Sequence, residues 1–304
     1  MQLGFVSAIF PELTLEEVFE FAGEAGFASV EVMCWPPGKA LRRYAGTTHI
    51  DASQPVEETR TRLKTLFETT GVVASALGYY PNALSADAAE SEVAINHLRT
   101  VIDLAPELGL DTVTSFIGRD PARTVDANWP RFLEVWTPLI GRAEERGVRI
   151  GIENCPMLFS ADEWPGGKNL ATSPAIWRRM FEAIPSKSFG LNYDPSHMVW
   201  QQMDYLRPMK DFKSRLVHVH AKDARLDLDS VNDHGVLSYP GLWHTPKIPG
   251  MGDIHWGKFF GALTDAGYDG HVAIEVEDRA FEGSLDKRKE ALRIAGRYLK
   301  QFIA

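Results

Sequence analysis

The chain predicts a single (β/α)8 barrel, a TIM barrel spanning 1–304, with extended βα loops at the mouth where its strands end. Three observations carry this. Short apolar runs alternate with amphipathic stretches from end to end, and each kind is counted eight times, the number at which a parallel sheet with helical crossovers closes. Apolar residues at 44% and charged residues at 24% are ordinary globular values, and no linker or composition break divides the 304 residues. The two long insertions both follow strands on one side of the alternation.

The elements follow in pairs. Strand 3–8 precedes helix 15–25, where Thr14 before Leu15-Glu16-Glu17 supplies an N-cap with a carboxylate at the third helical position. Strand 28–34 precedes helix 56–70, strand 72–78 helix 88–108, and strand 112–117 helix 129–146. The second half pairs 149–154 with 173–184, 189–194 with 205–213, 216–221 with 256–266, and 271–276 with 285–302. Gly26, Gly71, Gly109, Gly147 and Gly267 stand between a helix and the next strand, where a left-handed C-cap residue is wanted. The insertions 155–173 and 222–255, rich in Pro, Gly, Trp and His, lie at the ends of the fifth and seventh strands, where loops of such a barrel wall the active site.

Bulk properties exclude several classes. A net charge of −9 argues against a nucleic-acid surface, which needs a basic stripe. Two cysteines, Cys34 and Cys155, are too few for a disulfide framework and suggest a reducing compartment. The first residues lack the basic start of a signal peptide, and no apolar run approaches the ~18 residues of a membrane span. A cytoplasmic protein without membrane contact is expected.

The last four strands hold the chemistry. Alternation along them puts Ile150, Ile152, Leu191, Tyr193, Val217, Val219, Val272 and Ile274 on one face. The other face carries Gly151, Asn192, His218 and Ala273, then Glu153, Asp194, His220 and Glu275 one layer nearer the mouth. Three carboxylates and an imidazole in one layer are costly to bury unless a cation sits among them, and the layer itself offers no Lys or Arg. A divalent metal is therefore expected. The oxygen-rich set suits Mn²⁺, with Mg²⁺ or Co²⁺ as alternatives, better than structural Zn²⁺. His218, one layer deeper, is expected to pack rather than ligate. Glu31 could meet substrate or form a buried ion pair. Trp35, Tyr79, Phe116 and Trp243, at or beyond strand ends, could pack on a sugar face or fill core.

The runs Asp194-Pro195-Ser196-His197 and His218-Val219-His220-Ala221-Lys222-Asp223, with Gly250-Met251-Gly252-Asp253 and Gly267-Tyr268-Asp269-Gly270, resemble the xylose-isomerase-like sugar isomerase/epimerase barrels. Tagatose 3-epimerase and inosose dehydratase are barrels of that kind, and the resemblance covers nearly the whole chain. It implies that Glu153, Asp194, His220 and Glu275 hold the metal, that Glu153 and Glu275 double as acid and base, and that His197 meets a substrate oxygen. Lys222 and Arg225 are the basic candidates for substrate hydroxyls, and Trp35, Phe116 and His255 complete the expected substrate contacts.

The chemistry agrees: a metal holding two adjacent sugar oxygens acidifies the intervening C–H, and a carboxylate on each face can remove and return the proton. Return to the other face is epimerisation, return to the neighbouring carbon isomerisation, and loss of a β-leaving group elimination. A sugar isomerase or epimerase leads. A keto-glycoside lyase, deglycosidase or dehydratase is the alternative, favoured by the long 222–255 loop and by Asn154-Cys155 in place of the second glutamate usual after the fifth strand of ketose epimerases. Abasic-site endonucleases share this barrel, and Asp253 and His255 could add to a metal cluster, yet Ala76-Leu77-Gly78-Tyr79 and Ser115-Phe116-Ile117-Gly118 lack the histidines it needs. The resemblance also implies a homo-oligomer, or pairing with an accessory subunit.

Overall fold

Period-two alternation becomes a closed barrel in the computed structural model, which describes residues 1–38, 45–158, 161, 164 and 166–303. Its first seven strands are β1 (Gln2–Val6), β2 (Ser29–Met33), β3 (Val73–Gly78), β4 (Thr112–Ser115), β5 (Arg149–Glu153), β6 (Phe189–Tyr193) and β7 (Leu216–Ala221). The eighth is β10 (His271–Ile274), because an antiparallel ribbon of β8 (Asp223–Leu226) and β9 (His244–Lys247) intervenes. All barrel pairs are parallel, in the order β1-β10-β7-β6-β5-β4-β3-β2.

The crossovers are α1 (Leu15–Glu24), α2 (Val56–Thr70), α3 (Ala88–Glu107), α4 (Val125–Arg146), α5 (Pro174–Ala183), α6 (Ser196–Trp200) and α7 (Arg207–Asp211). They continue with α8 (Leu228–His234) inside the ribbon, α9 (Trp256–Asp265) and α10 (Leu285–Lys300). Thr14 caps α1 through the expected box: its hydroxyl accepts from the Glu17 amide and Glu17 accepts from the Thr14 amide.

Three expectations shift. Helix α4 starts at Val125 rather than 129, because the Thr124 hydroxyl accepts the Ala127 amide proton and begins the helix ahead of the apolar periodicity. The sixth crossover is two five-residue helices, each with a proline at its start: Pro195 caps α6 and Pro208 lies in the first turn of α7. The 222–255 insertion is a structured ribbon and not a plain loop, although its strands are only four residues long and β9 carries no apolar alternation. Of the other insertion, residues 159, 160, 162, 163 and 165 lie outside the described residues.

The barrel's outer face forms the core against the helices. Phe189 packs between Trp136 and Phe181, ring centroids 6.3 and 5.1 Å apart, and Tyr193 stacks on Phe259 at 6.2 Å. Ile150, Ile152, Leu191, Val219, Val272 and Ile274 are fully buried in the same shell. The interior is polar instead: Ser75, Thr114, Asn192, Glu31 and His218 are all buried there. Polar residues in that position leave hydrogen-bonding groups that must be satisfied by one another, which makes the barrel axis a network.

Candidate active site

Four adjacent strands, β5, β6, β7 and β10, bring Glu153, Asp194, His220 and Glu275 together with ligand-type atoms all within 4.8 Å of one another. The pairing is staggered: Glu153 stands opposite Asn192, Asn192 opposite His218, and His220 opposite Ala273. The four donors therefore do not share one pairing row. They converge because the strands tilt around the barrel and Asp194 and Glu275 project from just beyond their strand ends. Glu153 and Glu275 close the two ends of the arc.

Each donor is held from behind. Asn154 and Asp194 form a reciprocal pair, the Asn154 amide donating to the Asp194 carbonyl at 2.9 Å and accepting its N–H at 2.8 Å. Asn169 donates to the carbonyls of Glu153 and Cys155 at 2.9 and 2.7 Å. Asp194 Oδ1 accepts the Ser196 amide at 2.8 Å, which aims Oδ2 inward. His220 Nε2 lies 2.7 Å from Glu31 Oε2, which turns Nδ1 toward Glu153 Oε1 and Glu275 Oε2, 3.6 Å from each.

Four buried polar atoms without a hydrogen-bond partner face one another here: Glu153 Oε1, Asp194 Oδ2, His197 Nε2 and His220 Nδ1. Orphaned buried acceptors are costly. Lys222 enters the cluster although no cation was expected in the layer: its position two residues beyond His220 gives it the same inward parity, and its long side chain folds back. Its ammonium lies 2.8 Å from Glu275, 3.1 Å from Glu277 and 3.2 Å from Asp194. Four carboxylates, Glu153, Asp194, Glu275 and Glu277, thus surround one ammonium and the imidazoles of His220 and His197, which anionic neighbours raise above the ordinary histidine value against the pull of burial; the donor set with its orphaned atoms fits a divalent cation.

Burial pulls on every group here. It would raise the Glu31 carboxyl, yet the His220 imidazole beside it wins and holds it at about 2. Burial would likewise raise Glu275, and the Lys222 ammonium brings it below the ordinary value. Burial lowers His218 to about 3, so it stays neutral, with one ring nitrogen 3.1 Å from Asn192 and the other 3.2 Å from Ser75 in the deeper layer.

His197, the second residue of α6, points Nε2 to within 3.3 Å of Asp194 and 3.5 Å of Glu153. Phe116 lines a small inner chamber of about 40 Å³ with Glu153, His220, Lys222 and Glu275. Cys155, Met157, Lys222 and Glu277 also line a neighbouring outer cavity of about 340 Å³, walled by His197, Trp200, Tyr239, His244 and Arg279 among others. Trp35 is buried against Tyr79, rings 4.9 Å apart, and lines neither chamber. Arg225 is exposed on the ribbon, outside both linings, because β8 runs outward from the barrel: Asp223 and Ala224 at its start are buried against the outer cavity and Arg225 lies beyond them. His255 is an exposed N-cap, accepting the Lys258 amide at 3.3 Å, and Asp253 accepts the Leu226 amide; neither reaches the donor cluster.

Several residues were not legible as site residues. Tyr80 and Thr114 hold Glu31, Thr114 at 2.7 Å, but nothing in their local sequence marks it. Glu277 shares the parity of Glu275, a signal that was present in the chain. His244, stacked on Trp200 with rings 5.0 Å apart, has no such signal, since it depends on the ribbon.

A family model described as the xylose isomerase-like TIM barrel matches residues 19–302. Over 334 aligned residues the chain is 26% identical to the uncharacterized protein YfiH of Bacillus subtilis, covering 96% of this chain and 98% of that one. It is 32% identical to the inosose dehydratase of Geobacillus thermodenitrificans over 133 residues, 40% of this chain and 43% of that protein. Among solved structures, D-psicose 3-epimerase in the presence of D-fructose superposes with TM-score 0.72 at 16% identity, covering 100% and 99% of the two chains. The 3-keto-D-glucoside 4-epimerase YcjR of E. coli superposes at 0.70 with 17% identity, covering 99% of each, and the zinc-bound IOLI protein at 0.70 with 15% identity, covering 100% of each.

Proposed function

The chain belongs to the xylose isomerase-like TIM barrel family, and from that premise we propose that it is a divalent-metal-dependent sugar isomerase or epimerase that removes a proton from carbon next to a carbonyl. One observation carries the reading: four donors from adjacent strands converge on a point that two glutamates flank, and three of them, Glu153, Asp194 and His220, hold a buried polar atom without a hydrogen-bond partner.

Glu153, Asp194, His220 and Glu275 are the residues to hold the ion. Three carboxylates and one imidazole favour Mn²⁺, with Mg²⁺ or Co²⁺ able to replace it. Such an ion supplies Lewis-acid stabilisation of the negative charge that develops on the substrate oxygens. Glu153 and Glu275, at the two ends of the arc, are placed to take a proton from one face of a sugar carbon and return one to the other. Lys222, paired to Glu275, keeps that carboxylate ionised and ready to accept. His197 donates to a substrate oxygen, and Phe116 covers the inner chamber. Charge development inside a buried pocket is where fixed donors act most strongly.

Elimination on a 3-keto sugar, as by a keto-glycoside lyase or dehydratase, is the second reading. The outer cavity of about 340 Å³ favours it, since a free ketose seated at the acids would leave most of that space empty, whereas a glycoside would extend into it. The names of relatives divide the same way, between epimerases and dehydratases.

The test is incubation with ketohexoses, an inosose and 3-keto-glucosides in deuterated water, with and without chelator. Deuterium entering the substrate carbon is expected. Full activity after metal removal would overturn the reading. An inverted or isomerised product selects the first mechanism, and an unsaturated product the second.

We infer further that residues 1–304 act as one cytoplasmic domain, an inference supported by barrel strands drawn from Gln2 to Ile274. Among the described residues no helix is long and apolar enough to cross a membrane. Self-association is supported by Leu228, Val236, Leu237 and Leu242, exposed together on the ribbon insertion, and light scattering would report it.

A further inference from the structure

We propose that the outer cavity selects a sugar derivative whose distal part carries a carboxylate, and that Arg279 is the residue that binds it. The inference deepens the glycoside reading of the mouth and rests on it: the reacting ring sits at the inner chamber, and what the ring bears extends into the neighbouring cavity of about 340 Å³.

Chain beyond β10 builds this wall. Its alternation buries Val276 and Asp278 on one side and turns Glu275, Glu277 and Arg279 to the other. Glu275 lines the inner chamber, Arg279 the outer cavity and Glu277 both, so the run is a ladder from the acids to the outer wall. A group that meets Arg279 therefore belongs to the part of the substrate outside the inner chamber. A turn fixes Arg279 there: the buried Asp278 carboxylate accepts the Ala280 amide and the Lys247 ammonium, each at 3.1 Å, and the Phe281 amide donates to the Asp278 carbonyl at 2.9 Å. Lys247 belongs to β9, so the ribbon itself pins the turn. Backbone anchored in this way leaves only the Arg279 side chain to be ordered when a ligand arrives.

The other charged side chains of the cavity are already engaged. Asp223 accepts from three backbone amides and the Trp256 indole, and Glu277 accepts from Lys222 at 3.1 Å. Lys222 is shared with Asp194 and Glu275, and His197 turns its Nε2 to Asp194 and Glu153. Arg279 is exposed and, among the described residues, makes no hydrogen bond, ion pair or ring contact. Its guanidinium is a free fork of five N–H donors, and a planar carboxylate takes two of them at once. A phosphate matches less well, because its second charge finds no second free cation in a wall that also carries Glu277. Trp200, with His244 stacked on it, gives the same cavity an aromatic surface on which the ring that bears the carboxylate can lie.

The test is calorimetric titration of the full-length protein with three glucosides that differ in one substituent: phenyl, 4-carboxyphenyl and 4-phosphonooxyphenyl β-D-glucopyranoside. The carboxyphenyl glucoside is expected to bind about tenfold more tightly than the phenyl glucoside at low salt. That preference should shrink in about 0.5 M NaCl, where exposed charges are screened. Arg279→Gln should bring the carboxyphenyl glucoside to the affinity of the neutral one, and Arg279→Lys should keep only part of the preference, because an ammonium lacks the fork. Binding of none of the three, equal affinity for the carboxyphenyl and phenyl glucosides in the wild type, a preference that survives in Arg279→Gln, or tightest binding of the phosphate ester would overturn the proposal. So would equal weakening of both glucosides in Arg279→Gln, which would make Arg279 a structural part of the wall. The salt dependence of the wild-type preference decides the matter should that variant not fold. No turnover enters these measurements, so the two readings fail separately. If deuterium enters no sugar while the Arg279-dependent preference holds, the metal-dependent chemistry falls and the anion site stands; if deuterium enters and the preference is absent, the anion site falls alone.

Discussion

Glu153 and Glu275 occupy the ends of a four-strand arc, and position alone gives them different work. If each serves one face of the substrate carbon, Glu153→Gln and Glu275→Gln should each lower turnover by about 10²–10⁴-fold. The losses should be unlike in kind. One epimer should still wash its proton out into solvent in Glu275→Gln, and the other in Glu153→Gln, which NMR of recovered substrate in deuterated water would measure. Equal loss of exchange from both epimers in both variants would reduce the pair to metal ligands. Lys222 is a sharper lesson at this scale: the chain shows its parity with His220, but the fold-back onto Glu275 depends on where the fourth and neighbouring carboxylates stand.

The ribbon of β8 and β9 is the element that most changes the site, because it carries Tyr239 and His244 to the outer cavity. Its anchor is Asp223, whose carboxylate accepts the amides of Ala224, Gly250 and Ile254 and the indole N–H of Trp256 at 2.9, 3.0, 3.1 and 2.8 Å. Asp223→Ala strands these donors, and a loss of about 3 kcal/mol in urea unfolding is expected. Gly252→Ala should also destabilise, by about 1–3 kcal/mol, because a Cβ there meets Asp223 Oδ1 at 2.3 Å and the Ala224 carbonyl at 2.5 Å. A stability of Gly252→Ala equal to wild type would refute the tight fit. His244 adds a pH term. Burial lowers it to about 4, so the unfolded chain binds its proton first and stability falls as acidity rises below the ordinary histidine value. Between about pH 7 and about pH 5 this amounts to about 2 kcal/mol, and His244→Phe should show a correspondingly smaller loss.

For the whole molecule, a cation bound only by the folded barrel must stabilise it. Mn²⁺ at a hundredfold excess over its dissociation constant adds about 2.7 kcal/mol, so thermal unfolding should move upward with the ion and return with chelator. No shift with Mn²⁺, Mg²⁺ or Co²⁺ would count against the site. The barrel, its strand order and the four donors were legible in the chain because alternation along a strand is a local rule: Ile150 and Glu153 are assigned to opposite sides by parity, whatever surrounds them. What encloses the donors was not legible. Glu31 lies 189 positions from His220 and Tyr80 140 positions from it, and their hydrogen bonds exist only when the barrel closes. The expected contacts Arg225 and His255 sit near the mouth in sequence yet point outward, because the ribbon and the start of α9 turn them away. The sequence by itself determined which side chains could meet at the mouth. Only the tertiary structure decided what stands behind and between them, since Glu31 reaches His220 and Lys222 reaches Asp194 and Glu275 only in the closed barrel.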